Sequence, residues 1–91
     1  MIELKQKETR FEIFKDGEKA GLLDYQKKEN GIMEIVHTEV LEKFGGQGLG
    51  KELVKAAVEF AQDYGYKIIP SCPYAKKIIA KTPEFQEVLI K

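Results

Sequence analysis

Two stretches of the chain combine residue types that chemistry can use. The first is Glu42-Lys43-Phe44-Gly45-Gly46-Gln47-Gly48-Leu49-Gly50, with four glycines between Gly45 and Gly50. Such a run makes a poor helix and a poor strand, but it permits positive φ angles and lets another group approach the backbone closely. The helical pattern that follows leaves its first N–H groups, Lys51 among them, without internal partners at the positive end of the helix dipole. Together these features form an anion site that suits a pyrophosphate. The competing use of the same glycines is a tight strand-to-helix turn with close helix packing. No Gly-Lys-Ser/Thr ends the run, so it is not a P-loop. The dinucleotide fingerprint also fails, because it needs an acidic residue on a later strand of a doubly wound sheet.

The second stretch is Ile68-Ile69-Pro70-Ser71-Cys72-Pro73-Tyr74. Cys72 is the only cysteine, and it precedes a helix that starts at Pro73. A helix N-terminus favours the thiolate, which is a nucleophile, and the thiol itself can serve as general acid or base. The plain alternative is a small buried residue at a helix start. His37 is the only histidine, and its side-chain type changes charge near neutral pH, as a proton acceptor must. Glu39, two residues on, shares its face if the strand is regular, and could orient His37 or take a proton itself. A hydrogen-bonded histidine packed in the sheet is the alternative there. One histidine and one cysteine cannot build a closed tetrahedral metal site, so no metal is expected.

These residues need elements to hold them. Phe11 and Ile13 alternate with Glu12 and predict a half-buried strand ending at Asp16-Gly17, a hairpin signal. Glu18 to Gln26 predicts a second strand and Asn30-Gly31 a second turn. Ile32 to Val40 predicts a third strand, with Met33, Ile35 and His37 on one face and Ile32, Val36 and Thr38 on the other. Apolar residues on both faces predict a strand covered on both sides. From Gly48 to Tyr64, Leu49, Leu53, Ala57, Phe60, Ala61 and Tyr64 trace one helical face, with Gly65 placed for a left-handed cap. Tyr66 to Pro70 is a short strand, and Pro73 starts a helix through Ile79. Thr82-Pro83-Glu84 caps a last short helix through Val88. The order β-β-β-α-β-α implies a parallel pair with a crossover.

Composition narrows the function classes. Ninety-one residues are enough for one domain over 1–91. Lys plus Arg and Asp plus Glu are both 15, so there is no net positive field for nucleic acid. Apolar runs are far shorter than the roughly 20 residues that span a bilayer, and the charged N-terminus lacks a signal-peptide core. A lone cysteine fits a reducing, cytoplasmic setting.

The stretch from Val40 to Gly50 resembles the acetyl-CoA signature of the GNAT N-acetyltransferase superfamily, Arg/Gln-x-x-Gly-x-Gly/Ala between a strand and a long helix. Gly48 and Gly50 fall on its small positions. Gly45 stands at the Arg/Gln position, and Leu41 stands where many members have proline. With His37-Thr38-Glu39-Val40, the Cys72 segment and Thr82-Pro83-Glu84-Phe85-Gln86, nearly the whole chain is similar to a small single-domain GNAT-like branch. The resemblance implies an α+β fold, a reduced GNAT-like mixed sheet of four to five strands with two to three helices. It implies acetyl-CoA as cofactor, gripped by the amides of Gly45, Gly46, Gln47, Gly48, Leu49, Gly50 and Lys51. The main chain of Glu39, Val40 and Leu41 would lie along its pantetheine arm, with Cys72 beside its thiol. Tyr74 could protonate the departing CoA thiolate, or pack at the core rim. Lys76 and Lys77 could touch the cofactor's phosphates, or remain solvated. The activity implied is acetyl transfer to an unidentified amine, with His37, Glu39, Cys72 and Tyr74 as catalytic candidates. Larger members carry N-terminal helices around the acceptor that are missing here, which leaves room for a protein or peptide acceptor, or for a non-catalytic acyl-CoA-binding or sensing module. A monomer or weak dimer is expected.

Overall fold

The computed structural model describes residues 1–89. Its elements are β1 (Ile2–Lys7), β2 (Arg10–Lys15), β3 (Glu18–Lys28), β4 (Ile32–Val40), α1 (Leu49–Tyr64), β5 (Lys67–Pro70) and α2 (Pro73–Lys81), with 3-10 turns at Glu29–Gly31, Glu42–Phe44 and Pro83–Val88. The strands form one sheet in the order β1-β2-β3-β4-β5. The first three pairs are antiparallel and β4–β5 is parallel. This is the α+β architecture expected, a five-stranded mixed sheet with three helical segments. Both expected turns form where Asp16-Gly17 and Asn30-Gly31 stand, each with two successive left-handed residues, the geometry that matches strand twist in tight hairpins.

One face of the sheet presents Phe11, Ile13, Leu23, Tyr25, Met33, Ile35 and Ile68 to a single core. Onto it α1 lays Leu49, Leu53, Val54, Ala57, Val58 and Ala61, and α2 lays Ala75 and Ile79. The helical period of the sequence becomes the buried stripe of α1 at Leu49, Leu53, Ala57 and Ala61, joined by Val54 and Val58, whereas Tyr64, expected on that face, is 70% exposed. Phe60 closes the far end, stacked on Tyr66 with centroids 5.9 Å apart.

The structure departs from the sequence reading in β4. Its pairing with β3 slips between Asp24 and Tyr25: Asp24 faces His37, Tyr25 faces Ile35, and Val36 is left over. This bulge reverses the alternation beyond it. His37, expected beside Met33 and Ile35, points out of the core, while Thr38, expected on the outer face, is buried. Nor is β4 covered on both sides. The outer face carries Lys7, Arg10, Asp24 and His37 in one row, and Lys5, Glu12, Leu22 and Glu39 in the next. The edge strand β1, not expected as a strand, is exposed at all its residues and carries only a short alternation at Ile2 and Leu4. Among the described residues no helix is long and apolar enough to cross a membrane.

The outer face is held by ion pairs. Glu12 is only 4% exposed, hidden under the stems of cations rather than in the core. Lys19 reaches it at 2.8 Å, Lys7 at 3.2 Å and Arg10 at 3.9 Å. Lys19 first, and Lys7 with it against the cost of burial, hold the Glu12 carboxyl below the usual carboxylate range. A carboxylate so favoured in the folded state adds stability above its unfolded pKa of about 4.3, and that contribution fades as pH falls through the lower folded value. Glu12→Gln is therefore expected to lower the urea midpoint at pH about 7. The gap to the parent should narrow steadily in denaturation curves taken at and below pH about 4. An unchanged gap across that range would dismiss the ion-pair account.

Candidate functional site

The site begins where β4 and β5 part. Their pairing runs from Ile32 with Lys67 to Ile35 with Pro70, and the Cys72 N–H donates to the Ile35 carbonyl at 3.0 Å as the last link. Three local features then end it. Pro70 offers no N–H, the bulge at Val36 turns β4, and Pro73 starts α2. The Ser71 hydroxyl donates to Glu34, which also pairs with Lys28 at 3.2 Å. Ser71 first, and Lys28 with it, keep the Glu34 carboxyl below its ordinary value. Beyond this clamp β4 stays on β3 as far as Val40 with Gly21 and has no β5 partner.

The wedge so formed is an open groove of about 390 Å³. Thr38, Glu39 and Val40 form one wall, and Phe44, Gly45, Gly46 and Gly48 line its loop end. Leu49 and Gly50 of α1, with Tyr74 of α2, close the rest. The loop is anchored by the buried Phe44 ring, by Lys43 on Glu18 at 2.9 Å and by Lys15 on the Gln47 amide oxygen. Gly46 and Gly48 hold φ of 76° and 75°, a region costly for side chains. Gly48 is the N-cap of α1 and has no side chain to satisfy its first amides. The N–H groups of Leu49, Gly50 and Lys51 thus remain available at the positive end of a 16-residue helix. The Gly45 amide, expected among the donors, is already committed to Glu42 O at 3.0 Å. The Leu41 amide is likewise committed to Ala20 O at 2.8 Å.

Gly50 has a separate reason to be glycine. A methyl group there would overlap the Tyr74 ring and hydroxyl. The ring lies against the first turn of α1, so Tyr74, 45% exposed, belongs with the glycine-loop end of the groove.

Cys72 caps α2 and is 6% exposed. It stands behind the groove wall rather than in its lining. Burial pushes its thiol up, but the backbone amides of Ala75 and Tyr74 at the start of α2, together with Thr38, outweigh burial and hold it below the ordinary thiol value. Thr38 is the residue that the sequence reading passed over. It is 7% exposed, and its Oγ1 has no partner of hydrogen-bonding geometry.

His37 and Glu39 do share a face, with Nε2 3.3 Å from Oε1, but it is the outer face. Glu39 also lines the groove and His37 does not. Lys51, Lys76 and Lys77 are exposed and outside the lining. The structure thus brings together Glu39, Val40, the glycine loop, Leu49, Gly50 and Tyr74 around one cavity. Cys72 and Thr38 lie at its inner wall, His37 at its outer rim, and the lysines apart.

The donors fit an acyl-CoA: a helix start with spare amides for phosphate, a strand edge without a partner for an amide-bearing arm, and an unpartnered buried hydroxyl at the far wall. The chain is 31% identical over 84 residues to Protein NATD1 of Gallus gallus, covering 90% of this chain and 76% of that one. It is 32% identical over 62 residues to Protein NATD1 of Homo sapiens, covering 68% and 55%. The solution structure of a GCN5-like protein from Staphylococcus aureus superposes with a TM-score of 0.79 at 38% identity, covering 97% of this chain and 87% of that one. A Bacillus anthracis protein solved in complex with acetyl coenzyme A shares the fold, with a TM-score of 0.60 at 21% identity, covering 69% and 38%. Residues 10–88 match the family described as GCN5-related N-acetyl-transferase. Wedge, loop and sequence agree, and this chain belongs to the GCN5-related N-acetyltransferase family.

Proposed function

We propose that residues 1–91 act as one acetyl-CoA-binding domain that transfers acetyl to an amine. The observation that carries this is the parting of β4 from β5, which leaves a strand edge and a helix start facing the same groove. The amides of Leu49, Gly50 and Lys51, with the turn at Gly46–Gly48, hold the pyrophosphate. Glu39 and Val40 offer their main chain to the pantetheine amides, and Tyr74 packs along the phosphate end. Bound there, acetyl-CoA supplies an activated acetyl group.

The chain's own groups then divide the work. Glu39 stands at the mouth, where it can take the proton of an incoming ammonium, with His37 behind it at the outer rim. Cys72 supplies a thiolate at the inner wall. Its attack on the thioester carbonyl would form a thioester to Cys72 and break the bond to the CoA sulfur, which would take up the proton released when the Cys72 thiol ionised. The amine then displaces Cys72, and Glu39 removes the amine's proton. The groove is open to solvent and among the described residues no helix covers it, which suits an amine carried on a protein or peptide; the setting proposed is cytoplasmic, with the chain a monomer or weak dimer. A second reading, a non-catalytic acyl-CoA-binding module, is favoured by one observation: Cys72 is buried behind the groove lining.

Three outcomes are expected. Titration with acetyl-CoA followed by amide NMR should move Thr38 to Val40 and Gly46 to Lys51 first, and indifference of those amides would end the acyl-CoA reading. Gly50→Ala should push Tyr74 aside and weaken acetyl-CoA at least tenfold by calorimetry, about 1.4 kcal/mol, with little change in thermal midpoint. Incubation with acetyl-CoA should add one acetyl mass to the parent and none to Cys72→Ala. If the parent stays unmodified while Cys72→Ala still acetylates test amines, transfer is direct and the thiol has no covalent part.

A further inference from the structure

β1 forms one edge of the sheet, and among the described residues no strand pairs with its outer side. Edge strands are commonly guarded by bulges, prolines or charges that reach past the edge. Here those guards are weak. The register of β1 on β2 runs unbroken from Ile2 with Lys15 to Lys7 with Arg10, and the strand contains no proline. Lys7 is drawn back onto Glu12 at 3.2 Å, and Lys5 leans over the Phe14 ring at 4.9 Å. Ile2 and Leu4 are 47% and 41% exposed. They stand on the helix side of the sheet, since Leu4 lies opposite the buried Ile13.

Main-chain parity decides what can pair with this edge. The Asp16 N–H donates to the Met1 carbonyl at 2.9 Å, so the main chain of Met1 faces β2. Directions alternate along a strand. Glu3, Lys5 and Lys7 therefore face β2 too, while Ile2, Leu4 and Gln6 turn N–H and C=O to the open edge. A second β1 running antiparallel must set open residues against open residues. A two-fold centre on a residue satisfies this, and a centre between two residues does not. Centring on Glu3 opposes glutamate to glutamate, and centring on Lys5 opposes lysine to lysine, both unfavourable. Centring on Leu4 sets Ile2 against Gln6, Leu4 against Leu4 and Gln6 against Ile2, all as hydrogen-bonded pairs. It also sets Glu3 of each copy against Lys5 of the other, in the closer, non-hydrogen-bonded pairs. Among the described residues Glu3 joins no ion pair within its own chain. Met1 and Lys7 meet at the two ends, each cation already held on its own chain by Asp16 and Glu12.

We propose that β1 is a self-pairing edge: two copies of this chain join antiparallel about Leu4 into one continuous sheet, with the helices of both on the same side. The groove beside β4 lies toward the other end of the sheet, so both grooves stay open and the pairing does not depend on what they bind. A strand of six residues makes a small contact, and the dimer is a weak one.

The test uses the intact chain. Sedimentation over a concentration series from micromolar to millimolar should show the mean mass rising toward that of two chains. Over the same range, hydrogen exchange should slow at the amides of Ile2, Leu4 and Gln6. Glu3→Lys sets like charges against each other in both pairs and should weaken association about tenfold. Adding Lys5→Glu to that variant restores opposite signs and should bring association back. Glu3 and Lys5 are exposed, and an unchanged thermal midpoint checks that each variant folds. A parent that stays monomeric at millimolar concentration overturns the proposal and leaves this edge to a strand of another protein. Association that leaves those three amides unprotected overturns it as well, and so does a Glu3→Lys variant that matches the parent or a double variant no better than the single one.

Discussion

A single hydrogen bond, from the Cys72 amide to the Ile35 carbonyl at 3.0 Å, marks where the sheet stops being a sheet. Up to that point β4 and β5 satisfy each other's main chain as a parallel pair. Past it both strands turn away and their polar edges go unpaired. Unpaired strand edges are costly when buried and are invitations to another chain or ligand when open. Pro70, the bulge at Val36 and the clamp of Ser71 on Glu34 all act within a few residues of this point. Remove that divergence and α1 would still fold on the sheet, but its N-terminus would face a closed surface.

The groove that results is lined at its loop end by glycine main chain more than by side chains. The lysines nearest in sequence, Lys51, Lys76 and Lys77, stand in solvent outside the groove. The charged residues that do form networks lie on the outer face around Glu12 and between Arg10 and Asp24, where Nε and Oδ1 are 2.6 Å apart. The groove is thus lined by the fixed dipoles of a helix start, while the ion-pair networks lie on the outer face. Such dipoles are placed by the fold itself and need no side-chain ordering on binding.

The first residues of α2 tie the two ends of the groove together. Cys72, at the head of α2, is tied to the Ile35 carbonyl through its N–H, and Tyr74, two residues on, packs over Gly50 at the glycine-loop end. A shift of α2 along its axis would move both contacts at once. The small size of Gly50 is what allows this coupling, since any side chain there would drive the ring off the helix start.

Much of this protein was legible in its residues taken one after another. The period of α1, the left-handed pairs at Asp16-Gly17 and Asn30-Gly31, the helix start at Pro73 and the glycine-rich turn into a helix depend on local backbone preference, which a linear sequence carries in full. Cys72 at a helix N-terminus and the glycine loop before a helix start could be read for the same reason. What the sequence could not carry was the bulge at Val36, because a bulge is a mismatch in count between two strands and exists only once β3 and β4 are paired. That one extra residue decided which of His37 and Thr38 faces the core. The Tyr74 ring on Gly50 and the burial of the Thr38 hydroxyl were likewise decided only by the tertiary structure, since each depends on elements that are distant along the chain.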